Sequence, residues 1–216
     1  MLKTISLAFG GLIILALSLH AVIRVVRYFY KFPMPEFAAN IIDNPLRRLI
    51  QPPREMPLRH GVKPGMNILE VGPGNGTYTI SSARAVGDSG KLVTIDIEPK
   101  MIDRVNKRIH EEGLRNIDAR VADVFDLPFD DGTFDLIYMI AVIGEIPTPE
   151  RALREFYRVL KPTGNLAFSE LLMDPDYPLA KNLVQLAESG GFQLKNKLGG
   201  FGSYTLEFEK RLGRSE

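Results

Sequence analysis

The sequence predicts an α/β domain built on a mostly parallel sheet flanked by helices. Three observations carry that prediction. Asn67 to Ile80 (NILEVGPGNGTYTI) reads as a buried strand running into a glycine-rich turn and then a helix. Strand and helix patterns alternate from there toward the C-terminus. Phe134 to Ile140 (FDLIYMI) is a nearly unbroken apolar run, as a central strand buried on both faces requires.

The elements follow in chain order. From Ile5 to Ile23, nineteen residues carry no formal charge, and a helix of that length spans about 28 Å, close to one hydrocarbon core. Arg24, Arg27 and Lys31 follow it, with Tyr28, Phe29, Tyr30 and Phe32 suited to an interface. The expectation is a single-pass N-terminal membrane anchor and flank over residues 1–32, with the rest of the chain placed in the cytoplasm by the positive-inside bias. Leu19-His20-Ala21 is a poor cleavage site, which argues against a removed signal peptide.

Residues 33–64 hold seven of the fifteen prolines, so short helices fit only at Glu36 to Asp43 and Leu46 to Gln51. Two readings stay open for this segment. It is a linker packed on the domain, or an interfacial element that meets a membrane through Phe37, Leu46 and Leu49 with Arg47, Arg48, Arg54 and Arg59.

The domain proper is expected over residues 65–216. After the first strand and its turn, Thr77 to Val86 fits a helix and KLVTID (91–96) a second strand. Pro99 opens a helix with Met101, Ile102, Val105 and Ile109 on one face, and Gly113 closes it. Asn116 to Val121 is a third strand and Phe134 to Ile140 the fourth. Ala152, Leu153, Phe156, Tyr157 and Leu160 give the next helix its core face. Lys161-Pro162-Thr163-Gly164 then turns into a fifth strand, Asn165 to Glu170. A helix over Tyr177 to Ser189 leads to two last strands, near Phe192 to Leu198 and Ser203 to Glu209.

Composition narrows the chemistry. The 216 residues contain no cysteine, which excludes disulfides, thiolate metal sites and any cysteine nucleophile. His20, His60 and His110 lie far apart in sequence, so no metal site is expected. Residues 1–67 carry nine Lys or Arg against three Asp or Glu, and residues 68–216 carry 18 against 23. An acidic domain behind a basic leader speaks against nucleic acid as the main partner.

Parallel sheets with right-handed crossovers bind ligands beyond the carboxyl ends of their strands. Glu70, Asp96, Asp123 and Glu145 fall at those ends. Gly72, Gly74 and Gly76 strip side chains from the first turn, so that a ligand can lie against its backbone. A dinucleotide site shares this outline, and Asp96 lies twenty residues after Gly76. Its fingerprint, however, wants a third glycine where Thr77 stands.

Four blocks in order, ILEVGPGNG, TIDIEPKMID, ADVFDLPFDDGTFDLIY and ALREFYRVLKPTG, resemble the class I S-adenosylmethionine (SAM)-dependent methyltransferases. They are most similar to the type 11 branch that includes quinone-biosynthesis enzymes. The resemblance covers Pro64 to Lys210 and implies a Rossmann-like fold of seven strands, the last antiparallel. It also implies SAM contacts at Glu70, Gly72, Gly74, Gly76, Asp96, Ile97, Asp123, Val124 and the segment from Ile140. Asp96 would accept the ribose hydroxyls, Asp123 and the Val124 amide would meet the adenine, and Glu70 the ammonium end.

This chain departs from many relatives after the fourth strand, where AVIGEIPTP replaces histidines. Glu145 is therefore the first candidate for a base, ahead of Tyr138 and Tyr204. The expected function is methyl transfer to a small, lipophilic or membrane-associated acceptor. A soluble acceptor, an NAD-dependent oxidoreductase and a SAM-binding module without turnover are the alternatives.

Overall fold

Seven strands form one sheet in the order β3-β2-β1-β4-β5-β7-β6. They are β1 (Asn67–Val71), β2 (Lys91–Asp96), β3 (Ile117–Val121), β4 (Phe134–Ile140), β5 (Leu160–Leu171), β6 (Phe192–Gly199) and β7 (Ser203–Lys210). The first five run parallel, β7 is antiparallel to β5, and β6 is antiparallel to β7. This computed structural model describes residues 2–32 and 42–211. The short helix expected over Glu36 to Asp43 lies largely outside them.

Seven helices accompany the sheet among the described residues: α1 (Leu2–Phe29), α2 (Pro45–Ile50), α3 (Met56–Arg59), α4 (Thr77–Val86), α5 (Pro99–Glu112), α6 (Pro149–Val159) and α7 (Ala180–Ser189). The strand pleat divides the apolar residues between two faces. Leu69, Val93 and Ile137 pack on one side with Leu153, Phe156, Leu183 and Ala187 of α6 and α7. Their neighbours Ile68, Leu92 and Leu136 pack on the other, under Ala83 and Val86 of α4 and under Met56 and Val62. The proline-rich segment thus supplies part of a core layer.

His60 belongs to that layer. It is fully buried, its Nε2 is 2.8 Å from Ser169 Oγ, and its ring stacks on Tyr138 at 4.8 Å. Burial first, and the Arg59 charge second, push its pKa down to about 3. It is a neutral core histidine.

The structure corrects the N-terminal expectation. Among the described residues no helix is long and apolar enough to cross a membrane. The transmembrane anchor over residues 5–23 therefore does not hold, and the single-pass location and cytoplasmic orientation inferred from it fall with it. Two of the cations behind that stretch, Arg24 and Arg27, face protein instead of lipid headgroups. Arg24 Nη2 donates to the Tyr177 carbonyl at 3.1 Å. Arg27, only 3 % exposed, pairs with Asp176 and donates to the Phe32 carbonyl at 2.9 Å. A charge that burial has matched with acids is not available to fix orientation in a bilayer.

Two boundaries shift. The last helix starts at Ala180 and not at Tyr177, because Pro178 disfavours helical backbone at the residue before it. Strand β5 starts at Leu160, which pairs with Phe134. The next pair is Leu136 with Asn165, so Lys161 to Gly164 bulge out within one strand instead of preceding it.

Candidate active site

The strand order reverses between β1 and β4, the switch point at which open α/β sheets leave a crevice. A cavity of about 200 Å³ opens there, at the carboxyl ends of β1 to β4. Its wall contains Glu70, Gly72, Gly74, Asp96, Ile97, Asp123, Val124, Ile140 and Glu145. Residues as far apart in the sequence as Asp43 and Asp174 thus share one wall.

The glycine turn has the shape a ligand needs. Gly72, Gly74 and Gly76 have φ of 70°, 55° and 72°, a left-handed backbone that side chains disfavour. A Cβ on Gly74 would point into open space on the cavity side, whereas one on Gly72 would stand 2.5 Å from Val142 Cγ2. Gly76 is not on the wall. It caps α4, and a Cβ there would meet Val105 and Arg108 of α5.

Hydrogen bonds hold the turn from two sides. Arg108 Nη1 donates to the Asn75 carbonyl at 3.0 Å and to Thr77 Oγ1 at 2.9 Å. From the N-terminal segment, Asp43 Oδ2 accepts from Thr77 Oγ1 at 2.6 Å, and Arg48 donates twice to the Asp43 carboxylate at 2.8 Å.

The acids differ in environment. Glu70 is 3 % exposed and accepts from Thr79 Oγ1 at 2.5 Å. Burial raises its pKa to about 7, and the Thr79 hydroxyl bond only partly offsets that. Asp96 accepts the Glu98 N–H at 2.9 Å, and burial raises its carboxyl too. Asp123 is exposed and accepts the Phe125 N–H at 2.9 Å. Glu145 ends a short 3-10 turn, Ile143–Glu145, and Arg27 Nη2 lies 3.6 Å from its Oε1.

The two tyrosines weighed as bases sit behind the wall. Burial holds both well above the ordinary phenol range, and Tyr204 donates its hydroxyl to the Pro178 carbonyl at 2.7 Å.

Three charged wall residues fall outside the sequence-based set: Asp43, Arg47 and Asp174. Asp174 is 7 % exposed, accepts the Asp176 N–H at 3.0 Å, and is raised by burial. Its signal was its place just past the fifth strand, the same rule that found the other acids. Ala141 has φ of 56° directly after β4, and its N–H donates to the Ser169 carbonyl at 2.8 Å. No residue-type signal marks it, since left-handed backbone is expected of glycine. Among the described residues no group of three or more His, Cys, Asp or Glu could hold a metal ion.

The donor set fits SAM. Acids at the ends of β1, β2 and β3 suit an ammonium, two ribose hydroxyls and an adenine amino group, and the bare Gly74 backbone suits the chain between them.

Comparison with known proteins agrees. Residues 69–168 match the family model described as "Methyltransferase domain". The ubiquinone/menaquinone biosynthesis C-methyltransferase UbiE of Vibrio parahaemolyticus is 32 % identical over 140 residues, 64 % of this chain and 52 % of that protein. The UbiE of Idiomarina loihiensis is also 32 % identical, over 64 % of this chain and 54 % of its own. The match spans about half the length of these curated relatives. Among solved structures, a SAM-dependent methyltransferase from Aquifex aeolicus superposes with a TM-score of 0.76 at 23 % identity, covering 82 % of this chain and 98 % of that one. The [4+2]-cyclase SpnF superposes at 0.66 with 20 % identity, over 74 % of this chain and 80 % of its own. Residues 69–168 therefore resemble a methyltransferase domain, and the chain has the Rossmann-like methyltransferase fold with its seven-stranded, mostly parallel sheet.

Proposed function

We propose that the protein transfers the methyl group of SAM to a small lipophilic acceptor of the quinone-precursor type. The observation that carries this reading is the convergence of the glycine turn and the acids of β1 to β4 on one cavity wall. When bound, SAM supplies an electrophilic methyl group on a sulfonium, so positioning and exclusion of water supply most of the remaining catalysis.

In this reading Asp96 holds the ribose hydroxyls, while Asp123 and the Val124 amide hold the adenine. Glu70 faces the ammonium, and Gly72 to Gly76 lie along the methionyl chain. Ile97 and Ile140 close on the apolar surfaces. Glu145 takes a proton from the acceptor, and Asp174 on the same wall is a second carboxylate within the cavity. The lipophilic acceptor is supported by the quinone-biosynthesis role in the name of the UbiE relatives and by Ile42, Val142, Ile146 and Pro147 on the wall.

The test is incubation of the full chain with methyl-labelled SAM and, separately, a total lipid extract and a water-soluble metabolite pool. Label is expected in the lipid fraction. Label confined to the water-soluble pool would reject the lipophilic acceptor. Binding of NAD without binding of SAM would reject methyl transfer.

A further inference from the structure

The cavity wall is electrostatically lopsided. Asp43, Glu70, Asp96, Asp123, Glu145 and Asp174 line it, and among its described lining residues Arg47 is the one cation. Arg47 is more than nine-tenths buried, at 8 % exposure, and its Nε has no hydrogen-bond partner. A guanidinium removed from water with an unmet N–H is costly, and an anionic oxygen from a ligand removes that cost.

The position is built. Asn44 caps α2 by accepting the Arg47 N–H at 3.0 Å, and the Arg47 carbonyl accepts the Gln51 N–H at 2.7 Å. Gln51 in turn donates from Nε2 to the Glu170 carbonyl at 3.2 Å, and its own carbonyl accepts from Tyr78 Oη at 3.2 Å. The guanidinium carbon lies 5.9 Å from the centre of the Tyr78 ring. Tyr78 is in the first turn of α4, next to the glycine turn, so Arg47 stands at that end of the cavity and not at the ends of β2 and β3.

From this placement we propose that Arg47 is the receptor for the α-carboxylate of SAM, the single anionic group of the cofactor. The proposal rests on the methyltransferase reading and adds a residue from outside the matched segment 69–168. It assigns α2 to the cofactor site: the helix carries a positive charge on a wall whose other charged described residues are acids.

Calorimetry on the full chain tests it with SAM and decarboxylated SAM, which differ only in this carboxylate. The wild type should bind SAM at least about tenfold more tightly, as expected for a charge-assisted hydrogen bond. Arg47→Met should weaken SAM by about tenfold to a hundredfold and leave decarboxylated SAM within about twofold. Should the methionine variant fail to fold, Arg47→Lys carries the test. It keeps the charge without the planar fork, and a selective loss for SAM supports the proposal.

Equal losses for both ligands, in either variant, would make Arg47 a structural counter-ion of Asp174, whose carboxyl its charge pulls down against the effect of burial, and overturn the proposal. Unchanged SAM affinity with a raised acceptor KM would assign the anion to the acceptor and overturn it likewise. A wild type that binds neither ligand would overturn the methyltransferase reading itself, and this proposal with it.

Discussion

Arg27 Nη2 lies 3.6 Å from Glu145 Oε1, so the end of α1 and the wall of the cavity are joined by charge. The same guanidinium pairs with Asp176 through Nε, and Arg27 and Asp176 are 3 % and 6 % exposed. Removing one partner of such a buried pair leaves an uncompensated charge. Arg27→Met should therefore destabilise the protein by about 3 kcal/mol at pH 8. Burial raises the Asp176 carboxyl even with Arg27 present, so without it the group protonates more readily and the loss should shrink toward pH 5. Denaturant unfolding of both proteins at the two pH values checks this. Equal stability at pH 8 would mean that α1 docks without that pair.

Glu70 makes a pH prediction of defined sign. Its folded pKa of about 7 is above the ordinary 4.5, so the native state holds this proton more tightly than the unfolded chain does. The contribution to stability is full below pH 4.5 and is lost as pH rises through about 7. Relative to Glu70→Gln, the wild type should lose about 3 kcal/mol between pH 4.5 and pH 8. A ligand ammonium favours the ionised form, so SAM binding near pH 6 should release up to about one proton. The heat of binding should then vary with the ionisation enthalpy of the buffer. Heats independent of buffer would show that Glu70 keeps its protonation state.

The glycine turn separates strain from ligand space. Gly72→Ala meets both a positive φ and the Val142 side chain, whereas Gly74→Ala meets a positive φ and open space. Gly74→Ala should lower stability by about 1 kcal/mol, and Gly72→Ala by distinctly more. SAM affinity should fall in both. A Gly74→Ala protein with wild-type affinity would place the ligand off this backbone.

Asp96 tests the ribose assignment. Asp96→Ala should weaken SAM by about 2 kcal/mol if two hydroxyl hydrogen bonds are lost, a drop of about thirtyfold. Titration of the variant with S-adenosylhomocysteine should show the same loss, because the ribose is common to both. Unchanged affinity would move the ribose elsewhere.

The wall residues found in the sequence are those whose type and local position coincide. Gly72 and Gly74 interrupt a strand-to-helix pattern, and Glu70, Asp96 and Asp123 end or follow strands, so period and position were enough. Arg47 and Asp174 failed that test for different reasons. Arg47 looked like one of several surface charges in a proline-rich segment, and only the packing of α2 against Tyr78 buries it. Asp174 lies beyond the fifth strand's expected end at Glu170, and only the folded chain turns it back onto the wall.

By itself the sequence determined the alternation of elements, the span of β2, β4, α4 and α5, and the glycine turn. Each of these rests on local physics: side-chain period, proline at a helix start and glycine at positive φ. Tertiary structure decided the rest. Nineteen uncharged residues fit a bilayer by length and polarity alone, and nothing local reveals that Arg27 behind them answers Asp176, 149 residues away. The same holds for the core layer given by Met56, His60 and Val62 and for Arg47 on an acidic wall. Burial and charge pairing are properties of contacts between distant segments, and a period counts only neighbours.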